Sequence, residues 1–276
     1  MAITNLNAQN DLKVLNDEFT SHLTLEKWKT HHQTEGFPSF IDKVEISKDE
    51  TFLLIPESTA WFGEFHRGPF YFKEVEGNFT VITKLKVTGK KSLSPKVKYS
   101  LAGLMLRAPR PENTDKNAKG FENWMFLSTG CATKKGEPQF ESKNTIKGKS
   151  KLKVFPSKQG WISIAISRVG NTFYQSYKYE NDKKWTLLRV IERNDMPNKL
   201  QVGMLAYTDF WSVAFKYMFN RKKYNTKAIK GKPDLIANFE YIHFYRLDKD
   251  INLTKYPSEF PLSKISNSEM EKLKLE

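Results

Sequence analysis

The chain has 276 residues, with 45 Lys and Arg against 31 Asp and Glu, a formal net charge of +14, 39% hydrophobic residues and 13% aromatic residues. These proportions exclude a disordered chain, and at this length a core closes without disulfide or metal staples. The lone Cys131 excludes an intramolecular disulfide framework and any multi-thiolate metal site, and no run of about 18 apolar residues is available to span a bilayer.

Taken from the start, residues 1–10 lack a basic region followed by an apolar core, so as written they are not a signal peptide. A small residue ahead of Gln9 is compatible with a trimmed leader, so the expectation is a secreted or periplasmic protein if a leader was removed and a cytoplasmic one otherwise. A short helix is expected over Leu23 to Lys29. His31 and His32 follow in a loop, without zinc-ligand spacing. From there short β-branched and aromatic runs recur between Gly, Pro, Asn and Asp. They predict strands at 44–46, 52–55, 70–72, 79–87, 101–108, 123–129, 152–155, 161–169, 172–179, 185–191, 201–207 and 238–247. The segment 60–72 is unusually aromatic and carries Trp61, His66, Arg67 and Tyr71, residues suited to edging a sugar site or capping one end of the body. The fold class is therefore all-β, a two-sheet antiparallel β-sandwich. Its expected layout is an N-terminal extension over 1–15, one sandwich over 16–248 with an insertion at about 208–234, and a charged tail over 249–276.

One hairpin can be read in register. Residues 161–169 meet 172–179 across Gly170-Asn171, a two-residue loop that tolerates positive φ. Ile162, Ile164 and Ile166 then share a core face with Tyr179, Tyr177 and Gln175. The opposite face gathers Trp161, Ser163, Ser167, Tyr174, Ser176 and Lys178, read either as a wet platform for a sugar or as an ordinary solvated face. In the insertion, Trp211, Phe215 and Phe219 fall at i, i+4 and i+8. That spacing predicts a helix laying an aromatic stripe on the body, as a lid or rim or as a small core of its own, with Arg221, Lys222 and Lys223 outside.

Seven strings, in order across roughly residues 16–248, resemble the concanavalin A-like lectin/glucanase superfamily, most closely a bacterial branch labelled as resembling a regulator of enolase. They are Gly77-Asn-Phe-Thr-Val81, Ala102-Gly-Leu-Met-Leu-Arg107, Glu122-Asn-Trp124, Gly160-Trp161 through Arg168-Val-Gly-Asn-Thr-Phe173, Lys184-Trp-Thr186, Val202-Gly-Met-Leu-Ala206 and Ala237-Asn-Phe239. The resemblance implies a jelly roll with a concave groove, but no agreed catalytic residues. Arg107, Trp124 and Trp211 are expected within or beside that groove.

Related glucanases carry two acid groups on one strand as Glu-x-Asp-x-x-Glu, because alternate residues project to one side. This chain lacks the string. Glu180-Asn-Asp182 comes nearest and reads as a turn. Glu64, Glu122, Glu141, Asp195, Asp209 and Glu240 remain as acids that different strands would have to bring together. Polysaccharide lyases of this architecture use a Tyr or His base beside Arg or Gln, for which His66, Arg67, Tyr71, Arg107 and Tyr174 are of the right type. No His-Glu-x-x-His, EF-hand, P-loop or Gly-x-Ser-x-Gly string occurs. No metal ligands and no cofactor are implied, although the resemblance allows a structural calcium. Lysines cluster at 84–98, 143–153 and 216–232, a surface that attracts polyanions or simply confers solubility. Lys outnumbers Arg and no nucleic-acid motif is present, which favours an anionic polysaccharide over nucleic acid.

The expected function is carbohydrate recognition in the concave groove, with a glycoside hydrolase or polysaccharide lyase as the enzymatic alternative. A structural or adhesion module with its groove blocked by the insertion is a third reading. The expected ligand-binding residues are Trp61, His66, Arg67, Tyr71, Arg107, Glu122, Trp124, Tyr174 and Trp211.

Overall fold

Alternating Val, Ile, Phe and Tyr favour pleated strands whose two faces see different surroundings. In the computed structural model, residues 10–248, 251–253 and 265–275 are described. In chain order the elements are β1 Lys29–Thr30, α1 His31–Glu35, β2 Ile41–Ile46, β3 Phe52–Pro56, β4 Trp61–Phe62, β5 Phe65–His66, β6 Phe70–Glu76, β7 Phe79–Thr88, β8 Ser100–Arg107 and β9 Trp124–Cys131. There follow β10 Gln139–Ile146, β11 Lys149–Pro156, β12 Trp161–Val169, β13 Thr172–Tyr179, β14 Thr186–Glu192, β15 Lys199–Tyr207, α2 Phe210–Tyr217, α3 Arg221–Thr226, β16 Ile236–Arg246 and α4 Asn267–Lys272.

The strands form two seven-stranded sheets, ordered β1-β6-β15-β8-β9-β10-β11 and β14-β13-β12-β7-β16-β3-β2, and a small β4-β5 hairpin. This is an all-β fold, a two-sheet antiparallel β-sandwich. Between the sheets, Leu104, Leu106, Met125, Leu127, Val202 and Met204 from the first face Val81, Leu85, Ile164, Ile166, Phe239 and Phe244 from the second. Each such side chain contributes roughly 1.5–3 kcal/mol by leaving water, so the inner faces dominate the stability of the fold.

The hairpin register expected from sequence is present. Val169 faces Thr172, Ile166 faces Gln175 and Ile162 faces Tyr179, with Gly170 at φ +57°. The amide buried on its core face is satisfied: Gln175 donates to the Phe126 carbonyl at 3.1 Å and accepts from the Ser142 hydroxyl at 2.6 Å.

The other face of that hairpin is covered over its middle, while Trp161 and Lys178 stay half-buried. Ser167, Tyr174 and Ser176 are buried, and Leu247, Leu253, Leu273 and Leu275 pack in one cluster with Tyr174. Thr80 donates to the Leu273 carbonyl at 2.7 Å and lies 2.6 Å from the Ser167 hydroxyl, which fastens the covering segment to the sheet. The expected tail thus folds back as far as it is described. Ser266 and Glu269 form a capping box on α4, and the leucines that follow are buried. The expected N-terminal extension is likewise attached where it is described: Asn10 donates to the Phe244 carbonyl at 2.9 Å, Asp11 pairs with Arg246 at 2.8 Å, and Leu12 is buried.

Three other expectations shift. Leu23 to Lys29 contains a 3₁₀ turn over His22–Lys27, and the histidine pair belongs to α1 rather than a loop. The helix expected around Trp211, Phe215 and Phe219 ends at Tyr217, and a second, α3, follows with the Asn220 side chain as its cap. Strand β10 was not expected at all, because its sequence Gln-Phe-Glu-Ser-Lys-Asn-Thr-Ile carries no apolar alternation. Its neighbour β11 is an edge strand with Lys149, Lys151 and Lys153 exposed at alternate positions. Lysines placed so oppose edge-to-edge pairing, which gives that cluster a structural reason.

Candidate functional site

Neither outer face offers the open groove that the resemblance implies. On the outer face of the β1–β11 sheet, Phe70, Phe72, Leu101, Met105, Trp124, Phe126, Leu205 and Tyr207 form a second buried cluster, with Trp61 of β4 packed onto it. The Trp61 ring meets Trp124 edge-on at 6.0 Å and Phe70 at 6.1 Å, and His31 of α1 lies 5.1 Å away. Trp124 stacks on Phe126 at 5.4 Å and 3°.

Beyond this cluster the covering is incomplete and leaves a cavity of about 320 Å³. Its lining comes from four places. Trp61, Phe62 and Phe65 enter from the hairpin, Tyr99, Lys143, Leu152 and Tyr207 from the sheet, Phe210, Trp211, Ala214 and Met218 from the first helix of the insertion, and Tyr224 from α3. Helix α2 points a different face at the body from the one its spacing suggested. Phe210, Val213, Ala214 and Tyr217 pack inward, whereas Phe215 and Phe219 turn out at 76% and 98% exposure and Trp211, at 40%, lines the cavity while staying partly in solvent. The inward row is the i, i+3, i+4, i+7 set, seated by edge-on contacts of Phe210 with Tyr99 at 5.7 Å and Phe62 at 5.9 Å.

One charged pair lies against the cavity. Lys143 is buried with its ammonium 2.6 Å from Glu141, donates to the Trp61 carbonyl at 3.1 Å, and sits over the rings of Phe126 and Tyr207, each at 5.1 Å. The Tyr207 hydroxyl donates to the same Glu141 oxygen at 2.8 Å. Burial, and then the neighbouring Glu141 carboxylate, push the Tyr207 phenol well above its ordinary range. Burial likewise raises Tyr224. The second Glu141 oxygen and the Tyr224 hydroxyl have no hydrogen-bond partner among the described residues.

The residues singled out from sequence do not converge. Trp61 and Trp211 line the cavity, and Trp124 lies beneath Trp61. Arg107 and Glu122 are fully buried in an ion network: Arg107 pairs with Glu35 and with Glu122 at 2.9 Å, and Arg110 joins Glu122 at 3.0 Å. Arg67 is a clamp. It donates to the carbonyls of Ser58 at 3.0 Å and of Tyr224 and Lys227 at 2.6 Å, which ties the hairpin to the end of α3, and burial lowers its pKa to about 10. Tyr71 faces the inner core, its phenol pushed up to about 12 by burial. Tyr174 belongs to the opposite sheet under the C-terminal leucines. The backbone of His66 lies in β5, and its side chain is outside the described residues. The candidate acids also stay apart. Glu64 pairs with Arg221 at 3.4 Å, Asp195 with Arg193 at 2.7 Å and Glu240 with Lys84 at 2.8 Å, while Asp209 accepts from Ser58 at 2.7 Å. Of the six, Glu141 adjoins the cavity through Lys143 and Tyr207, on the strand that sequence reading missed.

The sequence pattern of the family described as "Protein of unknown function (DUF1349)" matches residues 57–225, more than half of the chain. The chain belongs to that family. Every residue lining the cavity falls inside the matched range. No curated protein matches the chain. Among solved structures, a functionally unknown protein from Saccharomyces cerevisiae is similar at 14% identity and TM-score 0.56, with 81% of this chain and 99% of that one covered. A xylan beta-1,4-xylosidase from Bacillus halodurans is similar at 14% identity and TM-score 0.55, and a Bacteroides ovatus protein named Xyloglucan PUL GH43B at 18% and 0.52. Both matches cover 84% of this chain and 39% of the other, so the likeness is to one part of a longer protein. At these identities the likeness establishes the fold alone. None of these descriptions refers to a regulator of enolase.

Proposed function

We propose that the chain is a non-catalytic binding module that takes the end of a carbohydrate chain in the ring-lined cavity. The observation that carries this reading is the lining itself, in which Trp61, Tyr99, Tyr207, Phe210 and Trp211 surround about 320 Å³ beside the hydroxyl-bearing Tyr224 and the Lys143 ammonium. A pyranose packs its CH faces on such rings and exchanges hydrogen bonds through its hydroxyls, and Tyr is suited to both roles. The volume is at the low end of ligand pockets, about 300–1,000 Å³, which suits one or two sugar rings rather than an extended polysaccharide. Lys143 is already paired with Glu141, so among the described residues no free cation lines the cavity to select an acidic sugar.

The enzymatic alternative has less support. Hydrolysis with two acids needs carboxyl groups about 5–10 Å apart across the bond, and Glu141 is the only one of the six candidates beside the cavity. A tyrosine base is favoured by a lowered pKa, and Tyr207 and Tyr224 are both shifted upward. The names of two similar structures refer to xylan and xyloglucan, which makes neutral xylose-containing oligosaccharides the first probes. Calorimetry and tryptophan fluorescence are expected to detect saturable binding that Trp211→Ala weakens and Ala214→Leu abolishes by filling the cavity. No response to any neutral or acidic oligosaccharide at millimolar concentration overturns the reading.

A further inference from the structure

Phe215 and Phe219, on the outward side of the insertion, take no part in lining the cavity just described. Phe215 and Phe219 are 76% and 98% exposed, and Trp211 and Met218, which line the cavity with one side, are still 40% and 42% exposed, so large apolar surface stands in solvent on one short insertion. The C-terminal leucines close on the opposite sheet and leave these rings uncovered, and an exposed apolar patch of this kind marks an interaction surface. The same insertion carries Lys216, Lys222, Lys223, Lys227, Lys230 and Lys232, all exposed. Among the described residues none of these six forms an ion pair, whereas Arg221 between them is turned inward onto Glu64.

We propose that this insertion docks the protein on an anionic lipid surface, with Phe215 and Phe219 entering the headgroup boundary, Trp211 at its edge and the lysines on the lipid phosphates. Two observations select this occupant. A second copy of the chain, placed by a two-fold axis, would bring two sets of unpaired lysines together, so the partner must be negative. Phe219 protrudes almost fully into solvent just past the end of α2 and is not among the residues lining the cavity. A fluid bilayer accepts such a ring without a complementary pocket, and Trp with Lys is the composition of interfacial anchors.

The test uses the full chain and vesicles, with no glycan present, so its failure is separate from failure of the carbohydrate reading. Co-sedimentation with phosphatidylcholine vesicles containing phosphatidylglycerol is expected, with little or none on phosphatidylcholine alone and release at high salt. The double variant Phe215→Ala, Phe219→Ala is expected to bind about tenfold more weakly with an unchanged circular dichroism spectrum. Replacing Lys222, Lys223 and Lys227 by Gln is expected to weaken binding about a hundredfold. Absence of binding to anionic vesicles overturns the proposal, as does full binding by the phenylalanine double variant. Concentration-dependent dimerisation that the double variant abolishes assigns the patch to a second copy and equally overturns it.

Discussion

The two sheets bury their inner faces alike and cover their outer faces by opposite means. Over β12 and β13 the covering is aliphatic and comes from the end of the chain, where Leu253, Leu273 and Leu275 close on Tyr174 with no space left for a ligand. Over β8, β9 and β10 it is aromatic and comes from a hairpin and two helices, and about 320 Å³ stays open. Leucines settle on a pleated surface with few voids, whereas rigid rings held at edge-on angles leave gaps that only a ligand of matching shape fills. Nearly the same sandwich surface thus serves as plain core on one side and as a candidate site on the other.

Five measurements break or sharpen that contrast. Arg107→Ala, which removes one of the two arginines paired with the buried Glu122 and with Glu35, is expected to cost about 3–5 kcal/mol in urea unfolding, the largest effect on the aromatic side. Leu273→Ala on the opposite side is expected to cost about 2–5 kcal/mol and to raise hydrogen exchange across β12 and β13; unchanged exchange there contradicts the covering role. His32, whose pKa burial lowers to about 4 from an ordinary value near 6.5, ties stability to pH. Between those values the unfolded chain holds the proton and the folded one does not. Stability is therefore expected to be fully present above about pH 7 and to fall by up to about 3 kcal/mol as the pH drops towards 4, a slope that His32→Leu flattens. Ala214→Leu fills space rather than creating it, so a cost under about 1.5 kcal/mol is expected alongside loss of ligand; a larger cost in thermal unfolding means the cavity is not open enough to accept the side chain. Smallest of all, Phe215→Ala with Phe219→Ala is expected to change stability by no more than about 0.5 kcal/mol, since those rings touch solvent.

The strands with apolar alternation were legible in the chain, and so was the 161–179 hairpin down to its residue pairs, because a two-residue turn fixes register locally. The site was legible only in part. Trp61 and Trp211 could be marked as unusual rings, yet their partners Lys143 and Tyr207 could not be joined to them. Strand β10 buries Glu141 and Lys143 on its outer face, and a polar sequence carries no periodic sign of that burial. Ser167 and Tyr174 misled for the converse reason: the C-terminal segment, far along the chain, packs on them.

By itself, then, the sequence determined the sandwich and its inner faces, since side-chain alternation along a strand is a local property that each segment records for itself. Tertiary structure alone decided which outer face closes, which keeps a cavity, and which row of α2 meets water. Those outcomes depend on what lies across the fold from each residue, and the order of letters along one strand does not encode that neighbour.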